Sequence, residues 1–130
     1  METVKCRISE VQLKNEETLF INIAAEKDFG AADFNELKSA AKKLGSGKRF
    51  YNIINVGEFT LPSKEAREIS SSTEGSIYKK ADAFVIHSLP QKIAGNLMLK
   101  INTPVVPTKF FSKIEDAERW INNLKRTKIA

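Results

Sequence analysis

The sequence predicts an α/β fold: a small mixed, mostly parallel sheet with an antiparallel N-terminal hairpin or meander and about four helices. Two patterns carry this expectation. Apolar residues recur at a period of two near the N-terminus, whereas from Leu19 onward compact apolar runs alternate with segments of helical spacing. The 130 residues fit one domain, 1–130, and 42% hydrophobic with 28% charged residues is the balance of a chain that folds around a core.

Val4, Cys6 and Ile8 alternate with polar neighbours, Val11 and Leu13 resume the alternation, and Thr18 to Ala24 forms a further apolar stretch after the polar turn Asn15-Glu16-Glu17. These are the antiparallel strands. Asp33 and Glu36 have capping-box spacing, and Phe34, Leu37, Ala41 and Leu44 mark the face of a first helix that Gly45 and Gly47 stop. Phe50 to Val56 reads as a strand buried on both faces.

Pro62 and Ser63 open a second helix with Ala66, Ile69, Thr73 and Ile77 on one face; Ser70-Ser71-Ser72 and Gly75 predict a break within it. Ala81 to His87 is the next buried strand. Ser88, Pro90 and Gln91 start a third helix whose expected core face is Ile93, Ala94, Leu97 and Ile101. Val105 to Phe111 reads as a last strand, at a sheet edge or with a bulge, because Pro107 cannot donate to a ladder. Ser112 and Glu115 then cap a last helix carrying Ile114, Ala117, Ile121 and Leu124, with Trp120 beside them. The expected core comprises Ile53, Ile54, Phe84, Val85, Ile86 and Val106.

Cys6 is the one cysteine, which excludes an intrachain disulfide and favours a reducing compartment. Met1 to Glu10 lacks the apolar core of a signal peptide, and no window approaches the ~18 apolar residues of a membrane span. A cytoplasmic location is expected. The net charge of +5 is spread in clusters (Lys42, Lys43, Lys48, Arg49; Lys79, Lys80; Lys125, Arg126, Lys128) interleaved with acids, which reads as solvated helix ends rather than a nucleic-acid surface.

Ala81 to Ile121, ADAFVIHSLPQKIAGNLMLKINTPVVPTKFFSKIEDAERWI, combines Gly95-Asn96 in a helix, Asn102, Pro104 and Pro107 in an N-x-P-x-x-P run, Phe110 in a strand and Trp120 in a helix. It resembles the second half of bacterial STAS-like, SpoIIAA-like (anti-sigma-factor-antagonist-like) proteins, and Leu61 to Ile69 is similar to the second-helix start in that group. The resemblance implies a mixed sheet with packed helices and a partner-switching role. In the antagonists an Asp-Ser-Ser-Gly motif carries a phosphorylated serine at this helix start. Here the residues are Leu61-Pro62-Ser63-Lys64, so Ser63 alone matches. A related CRAL-TRIO-like comparison implies an apolar ligand.

Ser63 is therefore a candidate phosphoacceptor, or simply a helix cap whose hydroxyl satisfies a free backbone donor. Asn55, Glu58, His87 and Ser88 fall at the carboxyl ends of the two core strands, where open α/β sheets bind ligands, and form a candidate ligand or partner rim. The same four are equally at home as loop and cap residues. Gly95 is expected to let its helix approach the sheet. No catalytic residue, metal ligand set or cofactor is assigned, because His87 has no triad pattern and no phosphate-cradling glycine run occurs.

The reading that follows is a nonenzymatic regulatory or protein-interaction module whose Phe59 to Ser72 region docks a protein partner. The alternative is a small-molecule or lipid-binding domain with an apolar pocket between helices and sheet. A homo-oligomer is compatible with either; neither needs a nucleic acid or a membrane span.

Overall fold

The computed structural model describes residues 2–127. Met1 and Lys128, the latter assigned to the basic tail, lie outside the described residues. Strands β1 (Thr3–Lys5), β2 (Ser9–Asn15) and β3 (Thr18–Ile23) form the antiparallel meander. β4 (Asp28–Phe29), α1 (Ala31–Gly45), β5 (Phe50–Val56), β6 (Leu61–Pro62), α2 (Lys64–Ser71), β7 (Lys79–Val85), α3 (Leu89–Leu97), β8 (Thr108–Phe111) and α4 (Ile114–Thr127) follow. The main sheet has the order β1-β2-β3-β5-β7-β8, and β3, β5, β7 and β8 run parallel. The predicted fold class is the observed one.

Period-two alternation sorts the sheet into two cores. Val11, Leu19, Ile21, Ile23, Phe50, Ile54 and Val56 face α1 and Ala66 of α2, whose Phe34, Leu37 and Ala40 close this layer. Tyr51, Ile53, Ala81, Ala83 and Val85 face the other way, onto Ala117 and Ile121 of α4. Phe111 meets Trp120 of α4 with ring centroids 5.7 Å apart.

A parallel pair of β4 and β6 was not predicted. It aligns Phe29 with Pro62, and the Ser63 amide donates to the Phe29 carbonyl at 2.8 Å, so the starts of α1 and α2 are held side by side. α2 ends at Ser71 and a 3-10 turn at Glu74–Ser76 follows, as the serine run and Gly75 predict. Thr73 and Ile77 consequently lie outside the helix and are exposed.

Several expectations are corrected. The N-cap of α1 is Gly30; Asp33 lies one turn in, accepts from the Gly30 amide at 2.9 Å and binds Arg7 at 2.8 Å. α4 begins at Ile114, a residue later than a Ser112 cap requires. β8 is confined to Thr108–Phe111 because Pro107 precedes the ladder; its carbonyl accepts from the Asp82 amide. Lys79 is not a solvated cation: it is buried on the α1 side of the sheet.

The largest correction concerns α3, which presents Gln91, Gly95 and Met98 to the interior and leaves Ile93, Leu97 and Ile101 exposed. Two features fix this rotation. Gln91 Nε2 donates to the Gly57 and Thr60 carbonyls at 2.7 and 2.9 Å while its Oε1 accepts from the His87 amide. Gly95 lies so close to Phe110 that a Cβ would sit 2.8 Å from the ring, so only a glycine surface fits without a shift. The helix continues as a π-helical turn, Met98–Asn102.

Candidate functional site

Between the sheet and α1, α2 and α3 the interior is not filled. An apolar cavity of about 120 Å³ is lined by Ile21, Ile54, Phe84 and Ile86 of the sheet and by Phe34, Ala94 and Met98 of the helices. That is roughly ten times the ~10–15 Å³ that one water needs. Phe84 and Ile86, expected in the core, are only half-buried because they face this space, whereas Ile53, Ile54, Val85 and Val106 are buried as predicted. Phe84 stacks on Phe110 at 5.1 Å, and Phe110 in turn supports Gly95 of α3.

One end of the cavity is polar. Lys79 Nζ lies 2.7 Å from Asp82 Oδ2 and donates to the carbonyl and hydroxyl of Ser70 at 2.8 and 3.1 Å. Asn52 Nδ2 donates to Asp82 Oδ1 at 2.9 Å, and the Lys79 ammonium sits 5.2 Å from the centre of the Phe34 ring. All five residues line the cavity. The ammonium and the carboxylate compensate each other, so the cavity presents a hydrogen-bonding end without a net charge to an apolar body.

Of the predicted rim residues, Asn55 and His87 meet: His87 Nε2 and Asn55 Oδ1 are 2.7 Å apart. Asn55 Nδ2 donates to Asn22 Oδ1 at 2.9 Å, giving a polar ladder across the carboxyl ends of β3, β5 and β7. Because the Asn55 amide donates to Asn22, its Oδ1 is the acceptor for a proton on His87 Nε2. Asn55 continues the alternation of Tyr51 and Ile53, so the ladder belongs to the α4 side of the sheet and does not line the cavity. Ser88 is the N-cap of α3, its hydroxyl accepting from the Gln91 amide at 3.4 Å. Glu58 is exposed in the loop after β5, where its backbone carbonyl accepts from the Glu26 amide.

Ser63 is the N-cap of α2, its hydroxyl accepting from the Ala66 amide at 3.0 Å. Arg67, one turn on, donates to the Pro62 carbonyl. Among the described residues neither His87 nor a carboxylate is bonded to the Ser63 hydroxyl. Cys6 carries a thiol pushed up from its ordinary range mainly by burial, which favours the protonated form over the nucleophilic thiolate. Among the described residues no three His, Cys, Asp or Glu side chains come together in a geometry for a metal ion.

Asn22, Asn52 and Asp82 were not singled out from the sequence, while Lys79 was read as a solvated cation and Gln91 only as part of a helix start. Asn52 and Asp82 did offer a signal, since each is a polar residue inside an otherwise apolar strand run.

No curated protein and no solved structure matches the chain. The model of a domain of unknown function, DUF7793, matches residues 11–125, from the second strand of the meander through most of α4. The chain therefore belongs to the DUF7793 family.

Proposed function

We propose that this chain is a nonenzymatic binding module that holds a small, mainly apolar molecule between its sheet and α1–α3. The single observation that carries the reading is the cavity, because native interiors are ordinarily close-packed and few contain voids of this size. Its polar end, Lys79-Asp82-Asn52-Ser70, suits a ligand with one hydrogen-bonding group on an apolar frame. The absence of any bond from His87 to a serine or carboxylate among the described residues gives a nucleophilic mechanism no support.

Native mass spectrometry of the purified protein, followed by titration with indole, tests this. A retained small molecule, or a rise in Tm of a few degrees at saturating indole that Ala94→Leu abolishes, is the expected result. Ala94 lines the cavity, so a leucine there occupies the ligand's space. Absence of retained ligand together with an unchanged Tm across a panel of small apolar compounds sinks the reading.

The STAS-like, partner-docking reading is favoured by a different observation. Phe59, 55% exposed, is held at positive φ beside the exposed Leu61, just ahead of Ser63 and α2. An exposed aromatic in a left-handed backbone conformation carries a strain cost, and such positions cluster at functional surfaces. A pull-down in which Phe59→Ser loses a partner that the wild-type chain retains would support that role; identical partner sets would remove it.

A further inference from the structure

α3 turns large aliphatic side chains to solvent as well as packing on the sheet. Its inner side closes the cavity, and its outer side carries Leu89, Ile93 and Leu97, with Ile101 continuing the four-residue spacing in the π-helical turn, exposed by 68%, 53%, 41% and 72%. A helix of a water-soluble domain normally turns a polar face to solvent, so a stripe of four large aliphatic side chains marks a surface that meets something apolar. The charges around it specify what. The helix and its π-helical extension, residues 89–102, carry Lys92 and Lys100 and no Asp or Glu. Both lysines are exposed and lie within the apolar segment itself.

We propose that the outer face of α3 and its π-helical extension docks on an anionic lipid bilayer, lying in the interface with its aliphatic stripe among the acyl chains and its lysines at the headgroups. Large aliphatic residues on one face and lysines able to snorkel beside them are the two attractions that hold such helices, and both are present on this segment, which has no acid of its own. The segment lies on the membrane rather than crossing it: no helix among the described residues is long and apolar enough to span. A second copy of this chain would bring the same two lysines, Lys92 and Lys100, face to face. Charge therefore favours the anionic surface over self-association. This inference stands on the outer face and does not depend on the cavity being occupied.

Co-sedimentation of the full chain with phosphatidylglycerol/phosphatidylcholine vesicles tests it, with pure phosphatidylcholine vesicles as reference. Binding to the anionic vesicles should weaken as salt is raised and fall by about tenfold or more in Ile93→Glu/Ile101→Glu. Both positions are exposed, so circular dichroism and Tm should stay near wild type. Lys92→Glu/Lys100→Glu should remove the preference for the anionic vesicles. No binding to them, or binding indifferent to Ile93→Glu/Ile101→Glu, overturns the proposal. So does sedimentation equilibrium showing a dimer that the same pair dissolves while lipid binding is absent.

Discussion

Lys79 and Asp82 stand three residues apart on one strand, yet they form an ion pair at 2.7 Å on the same side of the sheet. An odd separation in a regular strand puts two side chains on opposite faces. The ladder explains the exception: Phe50 pairs with Lys79 and Tyr51 with Ala81, so Lys80 is an extra residue that resets the alternation. Both partners are buried, and Asn52 and Ser70 complete their hydrogen bonds. Lys79→Met should therefore cost about 3–5 kcal/mol, because it strands a buried carboxylate. Adding Asp82→Asn, which lets two amides pair across β5 and β7, should recover most of that loss. Urea denaturation of the two variants is the check, and a double variant no more stable than the single one would refute the argument.

Ile53 and Ile54 are neighbours in β5 that point to opposite sides, Ile53 into the tight layer under α4 and Ile54 toward the cavity. A side chain bordering a void already lacks packing partners on one side, so removing its methyl groups forfeits fewer contacts. Ile53→Ala should destabilise by about 3–5 kcal/mol and Ile54→Ala by about 2–3 kcal/mol. Equilibrium unfolding of both measures the order, and equal losses would mean that the cavity side packs as densely as the other.

How far this was legible in the sequence depended on whether a feature is local. Phe50 to Val56 appears with its predicted bounds because a compact seven-residue run with five apolar side chains, bounded by Gly47 and Gly57, suits a strand covered on both faces. Ser63 and Ser88 appear as caps because a hydroxyl three residues before a backbone donor is a local arrangement. Lys79 was misjudged because its face depends on an extra residue relative to a neighbouring strand. Asn22 was missed because its bond to Asn55 depends on strand register. The outward rotation of α3 was misread for a related reason: its apolar residues suit either side, and the choice is made by Gln91 and Gly95 through contacts distant in sequence. A cavity left between three helices has no sequence signature at all.

Asp33 gives the fold a pH dependence whose sign is fixed. Hydrogen bonds from the Arg7 guanidinium, with a further one from the Gly30 amide, hold its carboxyl below the usual carboxylate range despite burial acting the other way. The folded state thus prefers the charged form more than the unfolded chain does. That stabilisation is fully present above the unfolded value of about 4 and fades as pH falls through the lower folded value. The stability gap between wild type and Asp33→Asn should accordingly be largest near neutrality and narrow below about pH 4. Urea midpoints of both proteins across that range measure it; a gap that stays constant would show that the ion pair adds nothing.

Ser63 offers the clearest contrast between a structural and a regulatory residue. Its hydroxyl accepts from the Ala66 amide, and Ala66 is itself buried, so this cap anchors the end of α2 that packs toward α1. Ser63→Ala should lose about 1 kcal/mol, while Ser63→Asp should stay within about 1 kcal/mol of wild type, because aspartate caps comparably and its charge suits the helix N-terminus. A cap alone leaves partner binding unchanged in both. A phosphorylation switch behaves differently: Ser63→Asp folds normally yet weakens or redirects an interaction that Ser63→Ala keeps, through new charge beside the exposed Phe59 and Leu61. Thermal unfolding of the three proteins, read beside their pull-down profiles and the phosphate content of Ser63 in protein from its native cell, separates the two. Matching profiles with no phosphate on Ser63 would leave the cap as its whole role.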